Sequence, residues 1–238
     1  MKNTKDFRIL TPPVVSLIVP VLNEQESINR TIANLSGACR GFKAEIIIVD
    51  GDPAGSTING LDTNQVITLV APAGRASQMN AGAKAASGGI LLFVHADTHL
   101  PAGAMEDVIR TCRRPEIAAG AFFLGIAGSK RIFRVIEILA NVRCRLTRIA
   151  YGDQAVFVKK RVFWQIGGFA DIPIMEDIGI MQRLKKNRLA IRLVPKAVET
   201  SARRWEKEGL IYGIVRNNLL SCLYYAGVRP LVLKRFYK

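Results

Sequence analysis

A chain of 238 residues that is 49% hydrophobic and 22% charged can bury a full core, which excludes a disordered polymer and favours one large domain over two. The net charge of +15 is unevenly placed: residues 1–128 hold 11 Lys/Arg and 11 Asp/Glu, whereas residues 129–238 hold 23 against 8. Segregated cations suit an anionic partner (a phosphorylated substrate, an acidic membrane face or nucleic acid) as readily as they suit a solvated basic surface. Cys39, Cys112, Cys144 and Cys222 lie too far apart for a zinc or redox motif, so a reduced, cytoplasmic setting is expected. The first thirteen residues lack the apolar run of a signal peptide, and Ile117–Ser129 is too short and Gly/Ala-rich to span a bilayer. Any membrane contact is therefore expected to be peripheral, at the inner membrane face.

The first element is a β-branched, apolar strand from Val14 to Leu22. Asn23 should cap the helix that follows, with Glu24 and Glu26 in its first turn and Ile28, Ile32 and Leu35 at helical spacing up to Gly37. Ile46–Val49 forms a second strand closing on Asp50-Gly51-Asp52-Pro53, and Val66–Val70 a third. Gly74–Ala86 reads as a helix of small residues, and Ile90–Val94 as a fourth strand, bounded by Gly88-Gly89 and Pro101. This alternation predicts right-handed βαβ crossovers and a mostly parallel, Rossmann-like α/β sheet flanked by helices.

The second half is less regular. Strands are expected at Ala118–Ile126 and Gln154–Lys159, separated by a basic amphipathic helix from about Ser129 to Arg148. Its apolar residues Ile132, Phe133, Ile136 and Leu139 suit packing on the sheet better than docking on lipid. Gly167-Gly168-Phe169 is a turn, Glu176–Lys186 a helix, Ile191–Val194 a short strand and Glu206–Tyr225 a final helix. With no linker or internal repeat, residues 1–238 read as one domain.

Carboxylates at strand ends are the chemically informative feature, because open α/β sheets keep their ligand crevices there. Asp50, Asp52 and Asp97 could serve a nucleoside diphosphate, the first two on base or ribose and Asp97 as a hard ligand for Mg²⁺ or Mn²⁺. Each taken alone reads as an ordinary turn or cap residue. Glu176-Asp177 opens a helix, where one carboxylate could accept a proton or both could simply complement the dipole. Tyr151-Gly152-Asp153-Gln154 offers acceptor contacts or a plain turn. Arg203-Arg204-Trp205 offers a guanidinium fork beside an indole, or a surface cluster. His95 suits a crevice wall, and His99 a loop.

Together these segments resemble family-2 glycosyltransferases, which have the GT-A fold. Val15–Glu24 resembles the family's opening strand, and Val49-Asp50-Gly51 its second strand end. Gly74–Gly82 is similar to its donor-binding loop and helix. His95-Ala96-Asp97 stands at its Asp-x-Asp metal motif, with His95 replacing the first Asp. Met175-Glu176-Asp177 resembles the Glu-Asp motif, and Arg203-Arg204-Trp205 its Arg-Trp motif. More narrowly, the Gly-Arg-Ala-x-Gln-Met-Asn, His-Ala-Asp-Thr, Tyr-Gly-Asp-Gln and Ser-Ala-Arg-Arg-Trp motifs look like a radical-SAM-associated bacterial subgroup linked to arsenosugar biosynthesis.

The resemblance implies an inverting transferase moving sugar from a nucleotide-sugar donor to an acceptor hydroxyl, with a small-molecule or lipid-linked acceptor. Residues 14–128 would be the nucleotide-sugar half and 129–238 a smaller, basic acceptor-side half. Pro20, Asn23, Glu24, Asp50, Asp52, Arg75, Asn80, His95, Ala96 and Asp97 would contact the donor, with Asp97 holding Mg²⁺ or Mn²⁺. Asp177 would be the catalytic base, aided by Glu176, and Tyr151, Asp153, Gln154, Arg203, Arg204 and Trp205 would face the acceptor. A sugar-phosphate nucleotidyltransferase would need a Gly-rich basic loop, which the acidic Val19–Glu24 segment lacks. A non-catalytic nucleic-acid-binding protein would rest on charge alone, so no nucleic-acid partner is expected.

Overall fold

A computed structural model describes residues 14–203 and 209–237. Strands β1 (Val15–Val21), β2 (Ala44–Asp50), β3 (Ile67–Val70), β4 (Ile90–Phe93), β5 (Thr98–His99), β6 (Ile117–Ala127), β7 (Phe157–Lys159) and β8 (Ala190–Ser201) share one sheet. Its spatial order is β3-β2-β1-β4-β7-β6-β8-β5. The pairs among β3, β2, β1 and β4 are parallel, as is β6 with β8, while β7 runs antiparallel to both β4 and β6. The helices are α1 (Ile28–Cys39), α2 (Arg75–Ala85), α3 (Ala104–Arg113), α4 (Arg131–Thr147), α5 (Lys160–Gln165), α6 (Glu176–Lys186), α7 (Leu210–Tyr225) and α8 (Pro230–Leu233). The expected α/β architecture, a mostly parallel sheet flanked by helices, is what the chain adopts.

Every residue of β1 is buried, as a parallel strand covered on both faces requires. Strand alternation divides its side chains. Val15, Leu17, Val19 and Val21 join the core under α1 and α3, whereas Ile18 joins the one under α2 and α6. Helix α2 lies close to the sheet because its inner face is small. A Cβ on Gly82 would fall 2.5 Å from Ile18 Cγ2, and a larger residue there would lift the helix and the Arg75 at its start. Phe93, Phe163 and Phe169 fill the same layer with tilted and edge-on contacts at 4.8–5.5 Å.

Several elements differ from their expected form. Asn23 does not cap α1: its backbone is left-handed (φ 57°), and the helix starts four residues later, after Ser27. Gln154 belongs to a single 3-10 turn, Gly152–Gln154, and β7 begins only at Phe157. His99 pairs with Glu199 in β5 rather than sitting in a loop. Strand β8 continues past Val194 to Ser201. Proline has no N–H for the ladder, and the β6–β8 register skips Pro195-Lys196 in a bulge before pairing resumes at Ala197. Helices α3 and α5 have no counterpart among the elements read from sequence. In α4, Phe133 and Ile136 pack near β6 as expected, but Ile132 and Leu139 face outward.

Candidate active site

Register brings the strand ends together. Val21 pairs with Asp50 and Ile18 with Phe93, so β1, β2 and β4 release the chain at one edge of the sheet. β2 follows β1 on one side and β4 lies on the other, which makes this edge a topological switch point. The Gln78 amide pins it: Nε2 donates to both Val21 O and Val49 O at 2.7 Å. That clamp fixes the first turn of α2, and with it Arg75, against the strand ends.

Two cavities of about 530 and 150 Å³ open there, and they share Arg75, His95, Asp97, Ile174 and Tyr237 as walls. The larger has the size of ordinary ligand cavities and is also lined by Pro20, Glu24, Ala96, Arg203 and Lys234. The smaller is also lined by Tyr151, Gly152, Asp153, Asp177, Asn217 and Ser221. Residues from eight separate segments of the chain therefore converge on one cleft.

The electrostatics are those of crowded acids beside the Arg75 and Arg143 guanidiniums. Glu176 is buried 3.8 Å from Arg75. Burial, reinforced by Asp177 and opposed by Arg75, raises its carboxyl to about 7. Burial also raises Asp153 to about 6, with Asp177 and Asp97 adding repulsion that Arg143 and Arg75 partly offset. Although burial works against its charge, the Tyr237 phenol and the Glu176 and Asp177 carboxylates hold the Arg75 guanidinium above its ordinary value. Asp177 is held by backbone donors: Gly152 N–H reaches Oδ2 and Ile178 N–H reaches Oδ1, both at 2.7 Å. Met175, just before Glu176, takes a left-handed backbone (φ 67°), a strained conformation for a side chain of its size.

Gly152 is required by close approach. A Cβ there would lie 2.8 Å from His95 Nε2 and 3.5 Å from Asp177 Oδ2. The Arg143 guanidinium carbon sits 3.3 Å from the centre of the Tyr151 ring and holds that wall of the smaller cavity.

Other expected site residues stand apart from the cleft walls. Asp50 is fully buried. Its Oδ1 accepts Asp52 N–H at 2.9 Å, and its Oδ2 accepts Thr57 and Ile58 N–H at 2.8 and 3.2 Å, so it shapes the following loop. That loop is tied to β1 by the Glu24 N–H, which donates to Thr57 Oγ1 at 3.2 Å. On the loop, the nearby Ser56 hydroxyl and the Ala54 N–H, which donates to Oδ1 at 3.0 Å, hold the Asp52 carboxyl below its usual range. Asn80 clasps the Phe169 backbone with two 2.9 Å bonds, and Asn23 is exposed. Gln154 is buried, accepting Tyr151 N–H at 2.9 Å and donating to Phe122 O at 3.1 Å. Arg203 reaches the larger cavity, while Arg204 and Trp205 lie outside the described residues. Tyr237, Lys234, Asn217 and Ser221 join the walls without any sequence signal. Only their folded position, not any local motif, reveals them.

The family model for Glycosyl transferase family 2 matches residues 16–170. The chain belongs to glycosyl transferase family 2. Among curated proteins, a dolichol-phosphate mannosyltransferase of Pyrococcus furiosus is 26% identical over 117 residues, covering 46% of this chain and 33% of that protein. Among solved structures, a mannosyltransferase from Pyrobaculum calidifontis in complex with GDP-Man and Mn²⁺ superposes with a TM-score of 0.61 at 20% identity. That match covers 81% of this chain and 57% of the other. Residues 1–349 of S. aureus TarS superpose with a TM-score of 0.62 at 17% identity, covering 79% and 60%. The chain thus spans one third of the curated relative and about three fifths of these structures. At such identities the superpositions establish the GT-A fold.

Among the described residues no group of three His, Cys, Asp or Glu is placed to hold a metal ion. Mg²⁺ and similar ions commonly take one or two protein carboxylates and complete their shell with phosphate oxygens and water. Asp97, open to both cavities and one of the charges that lift Asp153, fits that pattern.

Proposed function

We propose that this chain is an inverting glycosyltransferase that moves a sugar from a nucleotide-sugar donor to an acceptor hydroxyl. The observation that carries the reading is the convergence of Arg75, Asp97 and Asp177 on one cleft at the switch point of a family-2 fold. The nucleotide occupies the larger cavity between the end of β1 and α2, and the acceptor enters the smaller one. Pro20 and Glu24 wall that larger cavity, and the nucleoside extends beyond it to the loop that Asp50 supports, where Asp52 meets the ribose.

Arg75 binds diphosphate oxygens. Asp97 would hold Mg²⁺ or Mn²⁺, which as a Lewis acid offsets the charge on the departing diphosphate. The Asp177 carboxylate takes the acceptor hydroxyl proton as that oxygen attacks the anomeric carbon from the face opposite the diphosphate. One bond forms as the other breaks, so the configuration inverts. Holding Asp177 through the Gly152 and Ile178 N–H groups fixes the carboxylate's direction before the acceptor arrives. Stabilisation of the leaving diphosphate accelerates the reaction more than any other contribution. His95 and Asp153 orient the sugar, and Tyr151, steadied by Arg143, guides the acceptor.

The finer reading, a role in arsenosugar or related glycoconjugate synthesis in the cytoplasm, rests on the subgroup motifs around Arg75, Asp97, Asp153 and Arg203. A panel of nucleotide sugars with Mg²⁺ or Mn²⁺ tests the proposal by its product. Release of nucleoside diphosphate is expected. Pyrophosphate release, or no turnover with any donor, overturns it.

A further inference from the structure

We infer that helix α4 docks flat on an anionic lipid bilayer through a surface separate from the cleft. The helix has two opposed apolar faces, which a helix covered on one side alone does not need. The inner face packs Phe133, Ile136, Ala140 and Cys144 inward, and Asn141 exchanges two hydrogen bonds with the Leu124 backbone of β6. Ile132, Val135, Leu139, Val142 and Leu146 form the outer face at spacings of three and four residues, joined by Ile138. All six are exposed, Leu139 by 64% and Leu146 by 80%. So long an apolar stripe in water calls for a covering partner.

Charge selects the partner. Exposed Arg131 and Arg145 flank the stripe on the helix and exposed Arg148 follows its end, while Arg134 is turned to the Ile126 carbonyl and Glu137. The one carboxylate of α4, Glu137, points inward, accepting the Ile126 N–H and pairing with Arg134 at 3.0 Å. A second copy of this chain laid on the same face would oppose arginine to arginine with no acid between them. Anionic headgroups meet the same arginines with complementary charge while acyl chains take the leucines, the arrangement of an interfacial amphipathic helix.

A second helix also carries an exposed apolar face. Helix α7 lines the smaller cavity with Asn217 and Ser221 and exposes Tyr212, Val215 and Leu219 on another face. Among the described residues no helix is long and apolar enough to cross a membrane, so the contact is one of lying on the surface.

The test is flotation of the full chain with phosphatidylcholine vesicles, with and without phosphatidylglycerol. Binding is expected only with the anionic lipid, and Leu139→Glu with Leu146→Glu should weaken it at least about tenfold. Both positions are exposed, and circular dichroism checks that the pair leaves the fold intact. Independently, Leu146→Trp should add emission that shifts to the blue on anionic vesicles. Failure of the unaltered chain to float, equal binding to both lipids, or undiminished binding by the double variant overturns the inference. So does a dimer in solution that the double variant converts to monomer. The readout needs no turnover, so it stands or falls apart from the glycosyl-transfer reading.

Discussion

Arg75 and Glu176 are the first residues of α2 and α6, and their charged groups lie 3.8 Å apart, with Arg75 on the cleft wall and Glu176 buried outside the lining of either cavity. A helix start favours an anion, so Glu176 sits with its dipole and Arg75 sits against its own. Two acids and the Tyr237 phenol hold the guanidinium in that unfavourable place. An incoming diphosphate would find there a cation at the start of a helix.

Glu176 makes this arrangement sensitive to pH. The folded chain holds its proton up to about 7, above the ordinary value of 4.5. The stability that this proton adds is therefore complete below about pH 4.5 and is lost as pH rises through 7. Glu176→Gln removes the titration. Relative to the unaltered chain, the variant should gain about 1–3 kcal/mol between pH 5 and pH 8 in urea unfolding. A stability difference that does not change with pH would refute the assignment.

Asp177→Asn keeps an oxygen for one of the two backbone donors and removes the carboxylate proposed as the base. Turnover should fall by about 10²–10⁴ while the Michaelis constant for the donor stays near its original value. Nucleoside diphosphate release across a range of donor concentrations at fixed acceptor measures both. Turnover equal to that of the unaltered enzyme would exclude Asp177 from proton transfer.

Gly152→Ala drives a methyl group into the imidazole of His95, 2.8 Å away. The expected result is a loss of kcat out of proportion to stability, which should drop by about 1–3 kcal/mol or less. Thermal melting and steady-state kinetics on the same preparation separate the two effects.

Asn80 lies within a motif that resembles a donor loop, yet its amide is committed to the Phe169 backbone. Asn80→Ala should cost about 1–3 kcal/mol of stability by leaving that N–H and carbonyl unpaired. Donor affinity by titration calorimetry should remain within about twofold, since Asn80 is not among the cavity walls. A large affinity loss at constant stability would place Asn80 on the nucleotide instead.

Asp97→Asn should raise the Mn²⁺ concentration for half-maximal turnover by about tenfold or more, because an amide is a poorer ligand than a carboxylate. Titrating metal at fixed donor gives the shift directly. An unchanged half-maximal concentration would remove Asp97 from the ion.

Local pattern makes β1, β2, β4 and α6 readable. Uninterrupted apolar runs mark buried parallel strands, and the Glu176-Asp177 start marks a helix. The edge of the sheet that carries Asp97 can be read for the same reason. Helix α3 buries Met105, Val108, Thr111 and Cys112 at spacings of three and four residues, so its amphipathic pattern is present in the sequence although no element read from it covers the segment. Pro195 hides the second part of β8, because a bulge is made by two strands and only one of them is visible at that point in the sequence. Asn80 and Gln154 resemble ligand contacts because a buried amide has the same spelling whether its partner is a substrate or a distant backbone. Tyr237 joins Arg75 across 162 positions of chain, a distance no motif spans.

Strand β4 is flanked by β1 from the neutral part of the chain and by β7 from the basic part, through Ile90–Lys159, Leu91–Val158 and Leu92–Phe157. The charge boundary near residue 128 is thus no seam along which the molecule could be opened. A fragment ending there would keep Arg75 and Asp97 but bare one side of β4, whose unmet N–H and C=O groups invite sticking to other chains. Biochemists seeking a minimal sugar-nucleotide binder should expect such a truncation to precipitate rather than simplify the problem.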